Sequence, residues 1–432
     1  MSKIENQKKV ALVTLGCKLN FSETSFIGKE FEKRGYLKVD SGKEADVIVI
    51  NTCTVTENAN RKCRQMISKI VRRSPGAFIA VVGCYSQLNA DEISNFKGVD
   101  LVLGTNEKFK IFDYLENEFH TINNKNTREL ENQFFHSFSS NERTRSFLKI
   151  QDGCDYFCSY CTIPFARGRS RNANIQEIIK TAREIASRGV NEIVLTGVNI
   201  GDFGKSSGEN LFQLLKTLDK EVQVPRIRLS SIEPDLLTLD IIKLVKDSSK
   251  ILPHFHLPLQ SGSDQVLKLM NRKYETKLYK RIVEQIRSHL PLAGIGTDII
   301  CGFPGESSSI YRESEHFLES VDINFLHVFS YSERNGTKAE KMENKIPPRE
   351  ISSRSKKLQE LGKMKKINFY NRNIGSIHDI LVETTNEMGY LNGFTGNYIK
   401  TRIPFHKDIK GTIVKGKILT VNSNETVEIE II

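Results

Sequence analysis

Short apolar runs alternate with helical patterns along most of this chain, and no other feature of the sequence constrains the fold as strongly. The alternation is typical of parallel α/β sheets, whose strands are joined by helices that cover the sheet. The first strand-like runs are residues 10–16, 45–51, 78–83 and 100–103, with helical patterns at 23–34 and 57–73. They predict an open parallel α/β sheet in a domain spanning residues 1–122.

A second alternating series follows a polar stretch. Residues 123–145 are rich in Asn, Glu, Lys and Ser and show little periodicity, as linkers do. The strands predicted after it are residues 147–151, 192–196, 226–231, 254–259, 296–301 and 325–329, with helices at 175–188 and 209–218. Six strand–helix repeats predict a partial (β/α)6 version of the eightfold barrel, over residues 146–370. Barrels of this kind carry their chemistry at the carboxyl ends of the strands.

The last part of the chain, residues 371–432, is rich in short β-type runs. Strand-like stretches at 379–383, 398–403 and 426–431 are separated by turns that contain glycine. This pattern predicts a small all-β barrel.

Basic charge is concentrated before that barrel. Residues 338–372 contain 11 Lys or Arg against 4 Asp or Glu, and the whole chain carries a formal charge of +11. The segment is either a solvated connector or a nucleic-acid face, and charge alone favours the connector. The overall charge permits a polyanionic partner without requiring one.

The cysteines indicate the compartment. The N-terminal residues are polar, and no apolar run is long enough for a signal peptide or a membrane span. Eight cysteines in such a chain predict reduced thiols in the cytoplasm, where they bind metals or take part in catalysis rather than form disulfides.

Three cysteines lie on one short loop after the first strand of the second series. We call Cys154, Cys158 and Cys161 the loop set. A structural zinc site needs four protein ligands, whereas an iron–sulfur cluster can accept three cysteines and leave one iron open. Because no fourth ligand is nearby in the sequence, the loop set predicts a cluster with an open iron.

Three further cysteines each lie at or just after a strand of the first series. We call Cys17, Cys53 and Cys84 the strand-end set. The carboxyl ends of parallel strands line one crevice, so these residues are expected to converge. The alternative is that they are ordinary buried cysteines, but their shared position favours ligands. Cys63 and Cys301 have no such placement and are predicted to be packing residues.

The loop set also has an aromatic residue, Tyr160, just before its last cysteine. This spacing resembles the cluster loop of the radical S-adenosylmethionine (SAM) enzymes. The resemblance implies that the open iron binds SAM and that its cleavage yields a 5′-deoxyadenosyl radical. Tyr160 is expected near the adenine, with a core aromatic as the alternative. The predicted SAM residues are Tyr160, Gly197, Ser231, Glu233, Gln260 and Asp298.

Motifs along nearly the whole chain are similar to those of the radical SAM methylthiotransferases. The N-terminal motifs are Leu-Gly-Cys-Lys-Leu-Asn at 15–20, Asn-Thr-Cys-Thr-Val at 51–55 and Val-Gly-Cys at 82–84. Those of the second domain are Gln-Asp-Gly-Cys at 151–154, Pro-Phe-Ala-Arg-Gly at 164–168, His-Leu-Pro-Leu-Gln-Ser-Gly-Ser at 256–263 and Gly-Phe-Pro-Gly-Glu at 302–306. The β-rich tail resembles a TRAM domain, a small RNA-binding barrel.

The resemblance implies two 4Fe–4S clusters. The loop set would hold the cluster that cleaves SAM, and the strand-end set would hold an auxiliary cluster that supplies sulfur. SAM would serve as both methyl donor and radical source, and the product would carry a methylthio group.

Three substrate branches exist in this family. The residues around Cys17 and the Asp-Gly-Cys-Asp-Tyr-Phe-Cys loop are most similar to those of the bacterial threonylcarbamoyladenosine branch. That branch acts on C2 of N6-threonylcarbamoyladenosine at position 37, in the tRNA anticodon stem-loop. N6-isopentenyladenosine in tRNA and an aspartate of a ribosomal protein are the alternatives. Phosphate contacts are expected from residues 338–372 and from Arg167, Arg169 and Arg171.

The resemblance also implies an electron donor and a sulfur source, and we expect a monomer. A hypothesis from another class is a non-catalytic iron–sulfur protein that binds RNA or senses redox state.

Overall fold

The computed structural model describes residues 7–115, 124–126, 133–139, 144–387 and 389–432, with the backbone alone described at 124–126 and 384–387. Its strands fall into an N-terminal sheet, a central curved sheet and a C-terminal barrel. No helix in these ranges is both long enough and apolar enough to cross a membrane.

The N-terminal sheet is open and entirely parallel, as predicted, with strand order β2-β1-β3-β4-β5-β6. Its elements are β1 (Lys9–Thr14), α1 (Lys18–Lys33), β2 (Leu37–Val39), β3 (Val47–Thr52), α2 (Glu57–Arg73), β4 (Phe78–Gly83), α3 (Cys84–Leu88), α4 (Ala90–Ser94), β5 (Leu101–Leu103), α5 (Ile111–Leu115) and β6 (Asn124–Asn126). The four predicted strands are present. The sequence did not predict β2 and β6, which are three-residue edge strands too short for a periodic signal. β6 falls inside the predicted linker.

Helix α1 begins earlier than residue 23, where the sequence predicted its start. Cys17 precedes it in an extended conformation, and the helix starts immediately afterwards at Lys18. Cys17 makes no side-chain capping bond to the helix. Instead, Asn20 in the first turn donates from Nδ2 to the carbonyl oxygens of Leu15 and Thr52, both at 2.9 Å. These long-range bonds favour helix in a polar stretch whose sequence gives little helical signal.

Six parallel strands form the central curved sheet, and they lie in chain order. Its elements are β7 (Arg145–Lys149), α6 (Ile163–Arg167), α7 (Ile175–Ser187), β8 (Glu192–Thr196), α8 (Leu211–Glu221), β9 (Arg226–Leu229), α9 (Leu239–Asp247), β10 (His254–His256), α10 (Asp264–Leu269), α11 (Thr276–His289), β11 (Gly294–Cys301), α12 (Ser308–Ser320) and β12 (Phe325–Ser330). Strands β7-β8-β9 and β10-β11-β12 form two ladders, joined by a parallel bridge between Ser231 and His256. The partial (β/α)6 barrel is therefore confirmed.

The two faces of this partial barrel differ in polarity. Its outer face packs apolar side chains such as Leu148, Ile193 and Ile227 beneath the helices. Because side chains alternate along a strand, their neighbours Glu192 and Arg228 point inward, where they pair at 2.8 Å. The centre of the barrel is thus a polar space rather than a packed core.

Helix α13 leads from the partial barrel to a closed barrel with strand order β13-β14-β15-β17-β16. These elements are α13 (Pro348–Arg372), β13 (Ile377–Glu387), β14 (Tyr390–Thr395), β15 (Lys400–Pro404), β16 (Ile413–Val421) and β17 (Val427–Ile431). The small all-β TRAM-like barrel agrees with the sequence. Phe369 and Tyr370 of α13 join its core, so the basic segment does serve as a connector.

Both outer domains close the open side of the partial barrel. Phe21 of α1 packs edge-to-face on Phe147 of β7, with ring centroids 5.6 Å apart. From the other end, Arg226 and Arg228 on the inner face donate to backbone oxygens of the C-terminal barrel at 3.0–3.2 Å. The polar centre is therefore enclosed by all three parts of the chain.

Candidate active site

The loop set follows β7 in a loop that folds back on residues 168–171. Asp152 forms an antiparallel bridge with Arg171, and the Cys154 amide donates to the Gly168 carbonyl at 3.0 Å. Gly153 has a φ of 73°, and a Cβ there would collide with the Arg169 carbonyl oxygen. Glycine is thus required beside the first cysteine because the two chain segments touch.

Each sulfur of the loop set receives a hydrogen-bond donor. Backbone amides of Tyr156 and Ile163 point at Cys154 Sγ and Cys161 Sγ at 3.5 Å, and Arg272 Nη1 lies 3.0 Å from Cys158 Sγ. Burial raises the pKa of the Cys161 thiol to about 12. Iron binding must displace that proton, and the donors then stabilise the thiolates.

A cavity of about 270 Å³ opens beside the loop set, and we call it the loop cavity. It is lined by all three cysteines and by five of the six predicted SAM residues, namely Tyr160, Ser231, Glu233, Gln260 and Asp298. The sixth, Gly197, lines the neighbouring cavity instead. A Cβ at Gly197 would lie 2.8 Å from Gln151 Oε1, so the Gly197 backbone lies close to the Gln151 side chain.

Sequence reasoning missed Arg272, which lines the loop cavity. Its guanidinium bonds both Glu233 and Cys158, and thereby connects a predicted SAM residue to a predicted cluster ligand. Burial raises the pKa of Glu233 to about 7 despite the opposing charge of Arg272. A single arginine just after a short helix gave no signal in the sequence.

The strand-end set converges as predicted from the topology. Cys17, Cys53 and Cys84 follow β1, β3 and β4, which are adjacent in the sheet. Gly16 has a φ of 109°, and a Cβ there would lie 2.5 Å from the Cys53 Cβ. Burial, with Cys17 and Cys84 next to it, raises the pKa of Cys53 to about 12.

Neither set suits a single metal ion. A tetrahedral ion with metal–sulfur bonds of about 2.3 Å would hold its thiolates about 4 Å apart. All six cysteines are described, and neither set brings its three sulfur atoms within 4.8 Å of one another. Three thiols that do not all lie within reach of one ion fit a polynuclear iron–sulfur cluster with one iron left open.

A buried ion cluster joins the two cysteine sites. Arg167 donates to Asn20, to Glu23 at 3.0 Å and to Asp152 at 2.8 Å, so one guanidinium bridges α1 and the loop before Cys154. The other members are Lys108, Lys149 and Arg171. Of these described members, four are cationic and two anionic. The excess positive charge lies near Cys84. Burial raises the pKa of the Cys84 thiol, and the charges of Arg167 and Lys108 oppose that rise. Such a surrounding suits an anionic cluster.

The predicted phosphate contacts of Arg167 and Arg171 are therefore wrong. These side chains are 1% and 3% exposed and are held by Asp152 and Glu23. Arg169, between them, is exposed and makes only a 3.6 Å pair with Asp155. Alternation of buried and exposed positions explains the difference. Cys63 and Cys301 are fully buried among apolar side chains, as expected of packing residues.

A second, larger cavity of about 610 Å³ lies on the inner face of the partial barrel, and we call it the central cavity. It is lined by Cys17 and Lys18 of the N-terminal domain, by barrel residues including Ser231, and by Tyr398 of the C-terminal barrel. Ser231 also lines the loop cavity, so the two cavities adjoin. The loop cavity is thus lined by the whole loop set, and the central cavity by Cys17 of the strand-end set.

Two family models match separate parts of the chain. Residues 9–104 match the model described as "Uncharacterized protein family UPF0004", and residues 148–318 match the Radical SAM superfamily. The first match contains the strand-end set, and the second contains the loop set and the SAM candidates.

Curated relatives extend over almost the whole chain. The threonylcarbamoyladenosine tRNA methylthiotransferase MtaB of Aquifex aeolicus is 39% identical over 94% of this chain and 99% of its own length. The chain belongs to the radical SAM methylthiotransferases of the MtaB type. The Bacillus subtilis MtaB is 38% identical over 95% of this chain and 93% of its own. A tRNA-2-methylthio-N(6)-dimethylallyladenosine synthase of Clostridium beijerinckii is also similar, at 31% identity over 97% and 95%.

Solved structures agree on the fold. The radical SAM methyltransferase TsrM of Kitasatospora setae superposes with a TM-score of 0.56 over 74% of this chain and 72% of its own, at 14% identity. Radical SAM methylthiotransferases use two iron–sulfur clusters and SAM. The two cysteine sets described above fit these groups.

Proposed function

We propose that this chain transfers a methylthio group to C2 of N6-threonylcarbamoyladenosine at position 37 of tRNA. One observation carries the proposal: the loop set and Cys17 of the strand-end set line adjoining cavities that meet at Ser231. A substrate base placed at that junction would face both sites at once. The similarity to MtaB enzymes supports threonylcarbamoyladenosine as the substrate.

In this proposal the loop set holds the SAM-cleaving cluster and the strand-end set holds the auxiliary cluster. When bound, these groups and SAM supply radical hydrogen abstraction and a methylated sulfur. We assign the SAM site to the loop cavity, where Glu233 and Asp298 offer carboxylates to the ammonium group and Tyr160 offers a ring to the adenine.

Three groups of the chain orient the junction. His256 donates from Nε2 to Asp298 Oδ1 at 3.1 Å, and its Nδ1 lies at hydrogen-bond distance, 2.7 Å, from Ser231 Oγ. This chain of contacts fixes the wall between the two cavities. The surrounding domains cover part of this space and would limit the access of bulk water to a radical.

We further propose that the tRNA anticodon stem-loop lies along exposed basic residues, including Arg169. The reaction would take place in the cytoplasm, with the chain acting as a monomer, and would require an electron donor and a sulfur source.

The test uses full-length protein reconstituted anaerobically with iron and sulfide, then reduced and supplied with SAM. Anticodon stem-loops carrying threonylcarbamoyladenosine, isopentenyladenosine or unmodified adenosine at position 37 are offered separately. We expect 5′-deoxyadenosine and a methylthio product from the first RNA alone, detected by mass spectrometry of the nucleosides. Product from the isopentenyl RNA instead would reassign the substrate. Absence of both products from every RNA would favour a non-catalytic protein.

A further inference from the structure

The central cavity has a cationic lining. Lys18, Lys366 and Lys400 line it together with three histidines, and its described lining includes no Asp or Glu. Lys366 is neutralised by Glu425 at 3.0 Å. Lys18 and Lys400 have no ion-pair partner among the described residues. Burial lowers the pKa of Lys18, and an anion bound beside it would stabilise its charged form.

Two buried polar atoms on the cavity wall also lack partners. His254 is 8% exposed, and its Nδ1 has no hydrogen-bond partner within the described part of the chain. Ser230, the residue after β9, is half-buried, but its Oγ is buried and also lacks a hydrogen-bond partner among the described residues. Leaving a buried polar atom unpaired costs about 1–3 kcal/mol. Both atoms therefore mark positions where a ligand's polar groups would be stabilised.

Lys18 has the most informative position among these cations. It follows Cys17 directly and begins α1, so its backbone is fixed by the same strand end that presents the cysteine. Tyr398 and Phe394 of the C-terminal barrel also line the cavity, with ring centroids 5.1 Å apart. An anion bound by Lys18 would thus be held between the auxiliary site and the C-terminal barrel.

We propose that the central cavity binds the threonylcarbamoyl group of the substrate nucleoside, with Lys18 pairing with its carboxylate and with His254 and Ser230 bonding its polar atoms. This inference rests on the proposed function and identifies how the enzyme selects its substrate. An isopentenyl group carries no charge and would leave Lys18, His254 Nδ1 and Ser230 Oγ unpaired. Sites built around hydrogen bonds reject analogues that lack the bonding group far more strongly than apolar pockets do.

The size of the cavity agrees with this role. Small-molecule sites usually occupy about 300–1,000 Å³, and the central cavity measures about 610 Å³. It can therefore hold the modified side chain of one nucleoside together with part of its base.

The test compares two RNA probes on the reconstituted enzyme with SAM present. One anticodon stem-loop carries threonylcarbamoyladenosine, and the other carries its methyl ester, which lacks the negative charge. Binding is measured by fluorescence anisotropy. We expect the wild-type protein to bind the acid about 10- to 100-fold more tightly, as a charge-assisted pair would give.

Variants assign that preference to Lys18. Lys18→Met should bind both probes equally, at the wild-type affinity for the ester, whereas Lys18→Arg should keep most of the preference. Lys180→Met, which removes an exposed lysine of α7, is the matched control and should behave as wild type. Iron content of each variant shows whether the neighbouring cluster site is intact.

Each outcome decides a separate point. Equal wild-type affinity for acid and ester, or a preference that persists in Lys18→Met, overturns the inference even if threonylcarbamoyl RNA is methylthiolated. Methylthiolation of isopentenyl RNA alone overturns the proposed function. If Lys18→Met loses iron, the wild-type comparison and Lys18→Arg still decide whether the carboxylate is recognised.

Discussion

The loop set comes from a single short loop after β7, whereas the strand-end set comes from three strands that are separated by many residues in the chain. The loop set is held by local bonds, such as the Cys154 amide to the Gly168 carbonyl. The strand-end set depends on the register of β1, β3 and β4, because each cysteine is placed by the end of its own strand.

The two sets also differ in their surroundings. Arg272 is the one side-chain cation that contacts a loop-set sulfur among the hydrogen bonds of the described residues. The buried ion cluster, which carries an excess of positive charge, lies between the two sets, and its Arg167 and Lys108 act on Cys84 of the strand-end set. Because of this difference, we expect iron binding by the loop set to tolerate changes elsewhere in the fold. Iron binding by the strand-end set should instead depend on the packing between domains.

Removing either set should give the largest effect. Changing Cys17, Cys53 and Cys84 together to Ala should lower the iron content from about eight to about four atoms per chain, because one 4Fe–4S cluster remains. This variant should still cleave SAM but form no methylthio product. The corresponding change of Cys154, Cys158 and Cys161 should leave the same iron content and abolish both reactions. Iron analysis and mass spectrometry measure these outcomes, and loss of all iron from either variant would contradict two independent sites.

Breaking the buried ion cluster should distinguish the two sets by their dependence on packing. Arg167→Met leaves Glu23 and Asp152 with one partner fewer in a buried site, which should cost about 3–5 kcal/mol in the free energy of unfolding. We expect the strand-end set to lose iron before the loop set, since Arg167 holds Asn20 beside Cys17.

Arg169→Met is the matched control for that experiment. Arg169 is 68% exposed and pairs with Asp155 only at 3.6 Å, so its loss should change the stability by less than about 0.5 kcal/mol. Denaturant titration and iron analysis of both variants provide the measurements. Equal effects of the two substitutions would show that the buried cluster does not support the strand-end set.

The same contrast explains what the sequence could predict. The loop set was recognisable from spacing alone, and the strand-end set required the further step of predicting which strands end together. Both steps worked because β1, β3 and β4 are long apolar runs. The edge strands β2 and β6 were missed because short, polar strands lack periodicity.

Long-range pairing explains the other misses. The sequence shows Arg167 and Arg171 as a basic run, and only the fold reveals that Asp152 and Glu23 bury them. Arg272 is recognisable as a site residue only from the fold, in which the segments after β9 and α10 bring it into contact with Glu233 and Cys158. Gly197, which the sequence predicted as a SAM residue, lines the central cavity instead and lies against Gln151.

A smaller effect should follow from adding one methyl group beside the strand-end set. Gly16→Ala places a Cβ 2.5 Å from the Cys53 Cβ at a φ of 109°, so steric overlap and backbone strain together should cost about 2–4 kcal/mol. Gly35→Ala is the control because Gly35 also has positive φ, 82°, but a Cβ there meets nothing within 4 Å. It should cost about 1 kcal/mol and leave the iron content unchanged. Iron loss in both variants would mean that stability in general, rather than the contact with Cys53, controls this site.

The smallest effect is expected from Cys63, which lies closest to being a fourth ligand of the strand-end set. It is fully buried in α2, and its Sγ donates to the Cys53 carbonyl oxygen at 3.4 Å. Cys63→Ala should therefore lower the free energy of unfolding by only about 1 kcal/mol, through a small cavity and one weak hydrogen bond. Iron content and methylthiolation should match those of the wild type. A loss of about four irons per chain would instead show that Cys63 is a fourth ligand. The auxiliary cluster would then have no open iron.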